Sequence, residues 1–323
     1  MPAECTAPMW IVNPKDCLGR SCLESQSIKT SVKDVSFVHL LIVLCAGITA
    51  ISASAILIRV TKAPSLSIAF WRVTISALVL LPLWLSPARR RALKDLSLTQ
   101  RWQLLASGIC LGVHFWAWIT SLAYTSVAAS VLLVTTNPLW VGLLSPWLVG
   151  ERLAWRTWLG IGLAMLGAAI VAFGDTGGGQ SAPLLGNALA LLGAFAASGF
   201  LLFGRNVRVA LDVWSYASAQ LMGAWCVLAI GMLATSSPFV GFQWSDWGLF
   251  LSMALLPQLV GHNSISWSLR YLRADTVSVI LLLEPIGAAL LALLFLAEWP
   301  GMSTFVGGLC LLVGVIVVLR RSQ

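Results

Sequence analysis

The chain has 323 residues, 59% of them hydrophobic and only 10% charged, with a formal net charge of +8. Soluble domains carry about 25% charged residues, so a chain that covers its whole surface in water is excluded. The apolar runs are continuous rather than alternating, which excludes a transmembrane β-barrel and predicts an all-α integral membrane protein. The basic excess does not point to nucleic acid, because the basic residues sit in the short segments between apolar runs, where membrane orientation accounts for them.

Residues 1–36 are polar and mixed in charge, without the apolar core of a signal peptide. They read as a disordered tail, or as an upstream start not used in the cell. Ten apolar runs follow, over 37–60, 66–86, 102–123, 127–149 and 154–174, then 183–204, 212–234, 246–269, 275–297 and 300–319. Each is long enough to cross a bilayer as a helix at about 1.5 Å per residue. Cys45, Cys110, Cys226 and Cys310 lie singly in these runs and read as small core residues. Cys17 and Cys22 lack the second ligand pair that a zinc site needs.

Of the 20 lysines and arginines, all but Arg59, Lys62 and Arg72 fall in the tail and in alternate loops on one side. By the positive-inside rule that side is cytoplasmic, with both termini on it, and the expected location is the cell inner (plasma) membrane. Shifted by 147 positions the sequence lies on itself: Ser121-Leu122 meets Ser268-Leu269, Tyr124 meets Tyr271, Pro138 meets Pro285 and Glu151 meets Glu298. Asn137 falls on Glu284. The spacing predicts a first five-helix repeat over 37–174, a flexible linker at 175–182 and a second repeat over 183–320. Five is odd, so the two repeats must be inverted in the membrane, and inverted repeats with interrupted helices mark alternating-access transporters.

Glu284 stands about ten residues into the ninth run, roughly 14 Å deep, where a carboxyl is costly to ionise. It is either a protonated group bonded between helices or a proton- or substrate-binding residue, the usual role of an intramembrane acid. Pro285 removes a backbone donor at the same spot, as Pro138 does in the fourth run, so both are expected helix breaks. Asn137 offers a donor and an acceptor without charge and is expected at the same cavity. Arg72, roughly 10 Å in, either snorkels to the outer headgroups or faces the cavity to pair with Glu284 or a substrate carboxylate. His114 and His262 sit well within their runs. Trp71, Trp116, Trp118, Trp140 and Trp267 are the deep tryptophans and could stack on a flat substrate. Glu151 and Glu298 close their runs and read as helix-end contacts or gates. Gly108 and Gly112 form a GxxxG packing signal.

The chain resembles the EamA branch of the drug/metabolite transporter superfamily over nearly all of residues 37–320. The paired segments 135–151 (TTNPLWVGLLSPWLVGE) and 282–298 (LLEPIGAALLALLFLAE) carry the resemblance, with Phe70-Trp71-Arg72 in the second run. It implies that runs 3, 4, 8 and 9, with parts of 1, 2, 6 and 7, surround a central cavity.

The rival classes find little support. No Walker A motif follows Gly177-Gly178-Gly179, and HExxH and GxSxG are absent, so an ATP-driven pump and a membrane enzyme are not expected. The expectation is a secondary, proton-coupled transporter of small metabolites, an exporter of amino acids or related compounds, with a multidrug or cationic-compound exporter as the alternative. The implied partners are a small-molecule substrate, a proton and membrane lipid. A homodimer is left open, and no nucleic acid, metal or cofactor is implied.

Overall fold

The computed structural model describes residues 35–125, 127–148, 150, 154–174, 182–296 and 302–319, and among them every regular element is helical. In chain order the first half gives α1 (Phe37–Val60), α2 (Ser65–Trp84), the short α3 (Pro87–Lys94), α4 (Leu98–Ser121), α5 (Val127–Val134), α6 (Asn137–Leu148) and α7 (Trp155–Gly174). The second half gives α8 (Pro183–Ala210), α9 (Val213–Ala234), α10 (Trp244–Met253), a π-helical segment (Ala254–His262) and α11 (Asn263–Ser268). It ends with α12 (Ala274–Ile280), a 3₁₀ turn (Leu281–Leu283), α13 (Glu284–Leu296) and α14 (Met302–Leu319). Seven helical stretches among the described residues are long and apolar enough to cross a membrane. These are Val38–Val60, Ser65–Leu83, Leu98–Ser121, Ala129–Leu148, Pro183–Ala210, Val213–Ala234 and Ala274–Phe295. The helices from Ile42 onward form one unit, and the first turn of α1 falls in a separate unit ending at Leu41.

Local chemistry sets where these helices begin. Ser97 and Gln100 form a capping box at the start of α4, with Gln100 N–H donating to Ser97 Oγ at 3.2 Å and Ser97 N–H to Gln100 Oε1 at 3.0 Å. Two orphan donors of the first turn are thereby satisfied. Asp212 caps α9, accepting from Trp214 N–H at 3.0 Å and Ser215 N–H at 3.2 Å, and Arg89 of α3 lies 3.9 Å from the same carboxylate.

Small residues allow the close packing. A Cβ added at Gly108 would come 2.8 Å from the Gln220 carbonyl, and one at Gly112 would come 2.8 Å from Val227 Cβ. The GxxxG of α4 therefore seats α9 directly on its backbone. On its other flank α4 packs against α8: a Cβ at Gly193 would lie 3.3 Å from Trp118 Cβ, and one at Gly199 would lie 2.7 Å from Cys110 Sγ. Sequence number rises along one helix as it falls along the other, so α4 and α8 are antiparallel.

The repeat is visible in the hydrogen bonding. Ser121 Oγ donates to the Trp118 carbonyl at 2.7 Å, and Ser268 Oγ donates to the Ile265 carbonyl at 2.7 Å. In the turns that follow, Tyr124 N–H donates to Ser121 O and Tyr271 N–H to Ser268 O, each at 2.9 Å. The two equivalent turns lie at opposite ends of α8. Thr125 abuts Gly186 near its start, while Arg205 near its end donates to the Leu269 carbonyl at 2.9 Å.

Candidate functional site

Two helices are interrupted at matching places. α5 stops at Val134, the chain turns at Thr135-Thr136, and α6 restarts at Asn137-Pro138. α12 stops at Ile280, passes through the 3₁₀ turn, and α13 restarts at Glu284-Pro285. Neither proline can donate to the carbonyl four residues back, so each break falls just before it. Pro138 and Pro285 each take the first turn of a new helix, a position proline favours. At the first break Thr135 Oγ1 donates to the Val131 carbonyl at 3.0 Å and Thr136 Oγ1 to the Leu133 carbonyl at 2.7 Å, which satisfies backbone acceptors of the ending helix.

Both restarting residues are buried, Asn137 at 3% and Glu284 at 8% relative exposure. Their main-chain carbonyls are held in the same way. Ser198 Oγ of α8 donates to Asn137 O at 3.0 Å, sharing its proton with Ala194 O at 2.8 Å, and Ser52 Oγ of α1 donates to Glu284 O at 3.2 Å.

Asn137 and Glu284 line one narrow cavity together with His114, Trp118 and His262; the rest of the wall is Ile51, Val134, Thr135, Ala197, Phe200, Ile265 and Leu281. His114 Nδ1 lies 3.0 Å from the Gly193 carbonyl, and because a carbonyl only accepts, Nδ1 carries the proton. The Trp118 ring stacks on that imidazole with centroids 5.8 Å apart, and the His262 ring stands 6.1 Å away. Among the described residues no protein group bonds Asn137 Oδ1, Trp118 Nε1 or His262 Nδ1. The cavity thus presents an acceptor and a carboxyl close to an indole donor and an imidazole.

Arg72 is fully buried and does not snorkel. Its Nε donates to Gln258 Oε1 at 3.2 Å, one terminal nitrogen donates to Ser54 Oγ at 2.8 Å, and the guanidinium lies 4.3 Å from the Phe115 ring centroid. It is not in the cavity wall, and no ion pair with Glu284 occurs among the described residues. The Phe115 ring that it faces meets the ring of His262 at 5.1 Å in an edge-on contact.

The other tryptophans are elsewhere. Trp71 Nε1 donates to the Phe239 carbonyl at 2.9 Å and its ring meets Trp247 at 4.7 Å, so it anchors the segment after α9. Trp116 is 39% exposed on the outer surface of α4. Trp267 packs on Tyr271 at 4.7 Å and Trp140 on Phe195 at 5.4 Å. None of these four lines the cavity. Glu151 and Glu298 lie outside the described residues.

Sequence reasoning missed Ser52, Ser54, Ser198 and Gln258. Single serines in apolar helices give no periodic signal. Gln258, however, stands beside Pro257 in the π-helical segment, and such distortions gather at functional sites.

Two helices broken at corresponding positions, each bringing a polar residue to one buried cavity, define a membrane carrier with an internal repeat. The sequence pattern of the EamA-like transporter family matches residues 36–173 and again 184–320, and the chain belongs to that family. It is 23% identical over 207 residues to "Uncharacterized transporter YdfC" of Bacillus subtilis (strain 168), covering 64% of this chain and 67% of that one. It is 22% identical over 267 residues to an "Uncharacterized transporter" of Archaeoglobus fulgidus, covering 82% and 91%. A "Probable terminal-alkyne amino-acid exporter" of Streptantibioticus cattleyicolor is 26% identical over 192 residues, with 59% of this chain and 63% of that one covered. One solved crystal structure shares the fold with a TM-score of 0.68 at 19% identity, over 89% of this chain and 100% of the other.

Proposed function

We propose that this multi-pass membrane protein is a secondary active exporter of amino acids or related small compounds, coupled to protons and working by alternating access. In this reading ten transmembrane helices form two inverted five-helix repeats, over 37–174 and 183–320, joined by a linker at 175–182. Residues 1–36 are a polar tail, and both termini are cytoplasmic at the inner (plasma) membrane. The observation that carries the reading is the meeting of the two helix breaks, through Asn137 and Glu284, at one cavity. Interrupted helices at the interface of two repeats are where such carriers bind substrate and ion.

Chemistry supports an ammonium-bearing substrate. The Glu284 carboxylate and Asn137 Oδ1 accept from an ammonium group, while Trp118 Nε1–H and His262 donate to a carboxylate. The amino-acid exporter among the relatives supports the same substrate class. A second reading, export of flat cationic compounds, draws on the stacked Trp118 and His114 rings and on the position of Arg72 outside the cavity wall. Uptake of labelled amino acids and of cationic dyes into proteoliposomes, with and without an imposed pH gradient, tests both. Accumulation of neither class under any gradient overturns the reading.

A further inference from the structure

Two helices carry the same pair of residues on the same face. In α1 these are Ser52 and Arg59; in α8 they are Ser198 and Arg205. Each serine precedes its arginine by seven positions, two helical turns, so both side chains leave one stripe of the helix. The serine reaches the carbonyl at a helix break, as Ser52 does to Glu284 and Ser198 to Asn137. The arginine reaches the last carbonyl of another helix. Arg59 NH1 donates to Leu122 O just past α4, and Arg205 NH1 donates to Leu269 O just past α11, each at 2.9 Å. Leu122 and Leu269 are themselves equivalent in the repeat. Each arginine meets the negative end of a helix, where terminal carbonyls lack a partner within the helix and a cation is stabilised.

The two contacts lie at opposite ends of the bundle. Leu122 is next to the turn that abuts Gly186 near the start of α8, and Arg205 is near its other end. About nineteen residues of α8 separate Gly186 from Arg205, roughly 28 Å. Between them sit the cavity and both serine bonds.

We infer that Arg59 and Arg205 are reciprocal latches on the two mouths of the cavity. Each clips the end of α4 or α11 to the helix that also holds a broken helix of the cavity wall. Opening a mouth swings that helix end away and releases its arginine, while the latch at the far end stays made. Both latches are closed together in this structure, so neither mouth is swung open. The two residues touch no cavity wall, and they act by positioning helices. This inference rests on the alternating-access reading.

The test uses the full-length protein, depleted of its own cysteines, with Ala197→Cys as a reporter in the cavity wall. Labelling by a membrane-impermeant maleimide is followed separately from each face of oriented vesicles. If the parent reporter reacts from one face only, the alternating-access reading fails, and this inference fails with it. If it reacts from both faces, the variants decide. Arg59→Gln should raise the labelling rate from the Arg59 end about two- to fivefold and lower it from the other, an effect expected from losing one helix-end cation. Arg205→Gln should do the reverse. A fall in melting temperature with the ratio of the two rates unchanged would make both arginines static caps and overturn the inference. So would shifts in the same direction for both variants. Arg59→Lys and Arg205→Lys keep the charge but offer a point donor in place of the fork. They are read by the same ratio if a Gln variant does not reach the membrane.

Discussion

Asn137 and Glu284 hold the same register in two broken helices, each as the first residue of the restarting half and each directly before a proline. One is neutral and the other can carry a proton, so the repeat brings two similar backbones and two different chemistries to the same cavity.

A first prediction follows from that difference. Glu284→Gln keeps the shape of the side chain and most of its hydrogen bonding but cannot gain or lose a proton. The variant should reach the membrane and exchange substrate, yet lose accumulation driven by a pH gradient in proteoliposomes. Undiminished gradient-driven accumulation would remove Glu284 as the proton site. Asn137→Asp, which gives both breaks an acid, should shift the pH dependence of transport.

Arg72 is held by Gln258, Ser54 and the face of Phe115. Lysine supplies a point charge without the planar fork, so Arg72→Lys leaves buried partners unsatisfied. The expected loss is about 1–3 kcal/mol of stability, read as a lower unfolding temperature in detergent. Because Arg72 touches Phe115, and Phe115 touches His262, substrate affinity should weaken as well. Normal stability and affinity in the Lys variant would show that the fork is dispensable.

Close helix contact makes a third prediction. A Cβ at Gly108 meets backbone, the Gln220 carbonyl and the Gly223 Cα, and neither can give way as a flexible side chain would. Gly108→Ala should destabilise the protein by about 1–3 kcal/mol, the usual cost of overpacking. A thermal melt matching the parent would mean that α4 and α9 separate without cost.

Asp212 gives a prediction in pH. Partial burial pushes its carboxyl up, but the Ser215 hydroxyl and N–H, the Trp214 N–H and Arg89 more than offset this and leave it below the ordinary carboxylate range. A group depressed in the folded state contributes stability above its unfolded value, and that contribution is lost as pH falls through the folded one. Asp212→Ala should therefore cost about 1 kcal/mol of stability at neutral pH, as loss of a helix cap does. The gap between variant and parent should close in acid. A gap that stays constant down to pH 3 would argue against the charge as its source, about one unit below the unfolded value.

Topology is tested by reporter fusions. Fusions after Asp95, Val207 and Leu272 should report from the cytoplasm, and those after Lys62, Thr125 and Pro238 from outside. The opposite pattern would invert the whole orientation, and a mixed one would break the inverted repeat.

Much of the architecture was legible in the sequence because hydropathy is additive along a helix and a bilayer demands long runs of it. Pro138 and Pro285 announced the helix breaks through a missing donor, which needs no tertiary context. Asn137, Glu284, His114, His262 and Trp118 stand out as candidates because polar or amphipathic groups are costly at that depth, and all five line one cavity. Trp71, Trp116, Trp140 and Trp267 look equally suited to stacking on a substrate by depth, yet they lie outside the lining of this cavity. Depth along a helix fixes a residue's height but not its azimuth, and hydrophobic helices carry too little asymmetry to show which face turns inward. Ser52 and Ser198 escaped for the opposite reason: a hydroxyl can satisfy itself on its own helix, so its presence predicts no partner.

The π-helical segment at Ala254–His262 has a consequence for direction. A single gapless shift of 147 does not hold throughout: the earlier helices of the two halves correspond at 146 (Ser52 to Ser198, Arg59 to Arg205), as their matching hydrogen bonds show, and the later ones at 147 (Ser121 to Ser268, Asn137 to Glu284). The second half thus holds one surplus residue between Arg205 and Ser268, and a widened helical turn is a natural place to store it. The matching helix of the first half, α4, runs without such a widening. Two identical halves could trade shapes and would run forwards and backwards through equivalent barriers. In the alternating-access cycle proposed above, a widened turn on one side alone would make the inward and outward strokes different motions with different barriers, leaving turnover in the two directions free to evolve separately.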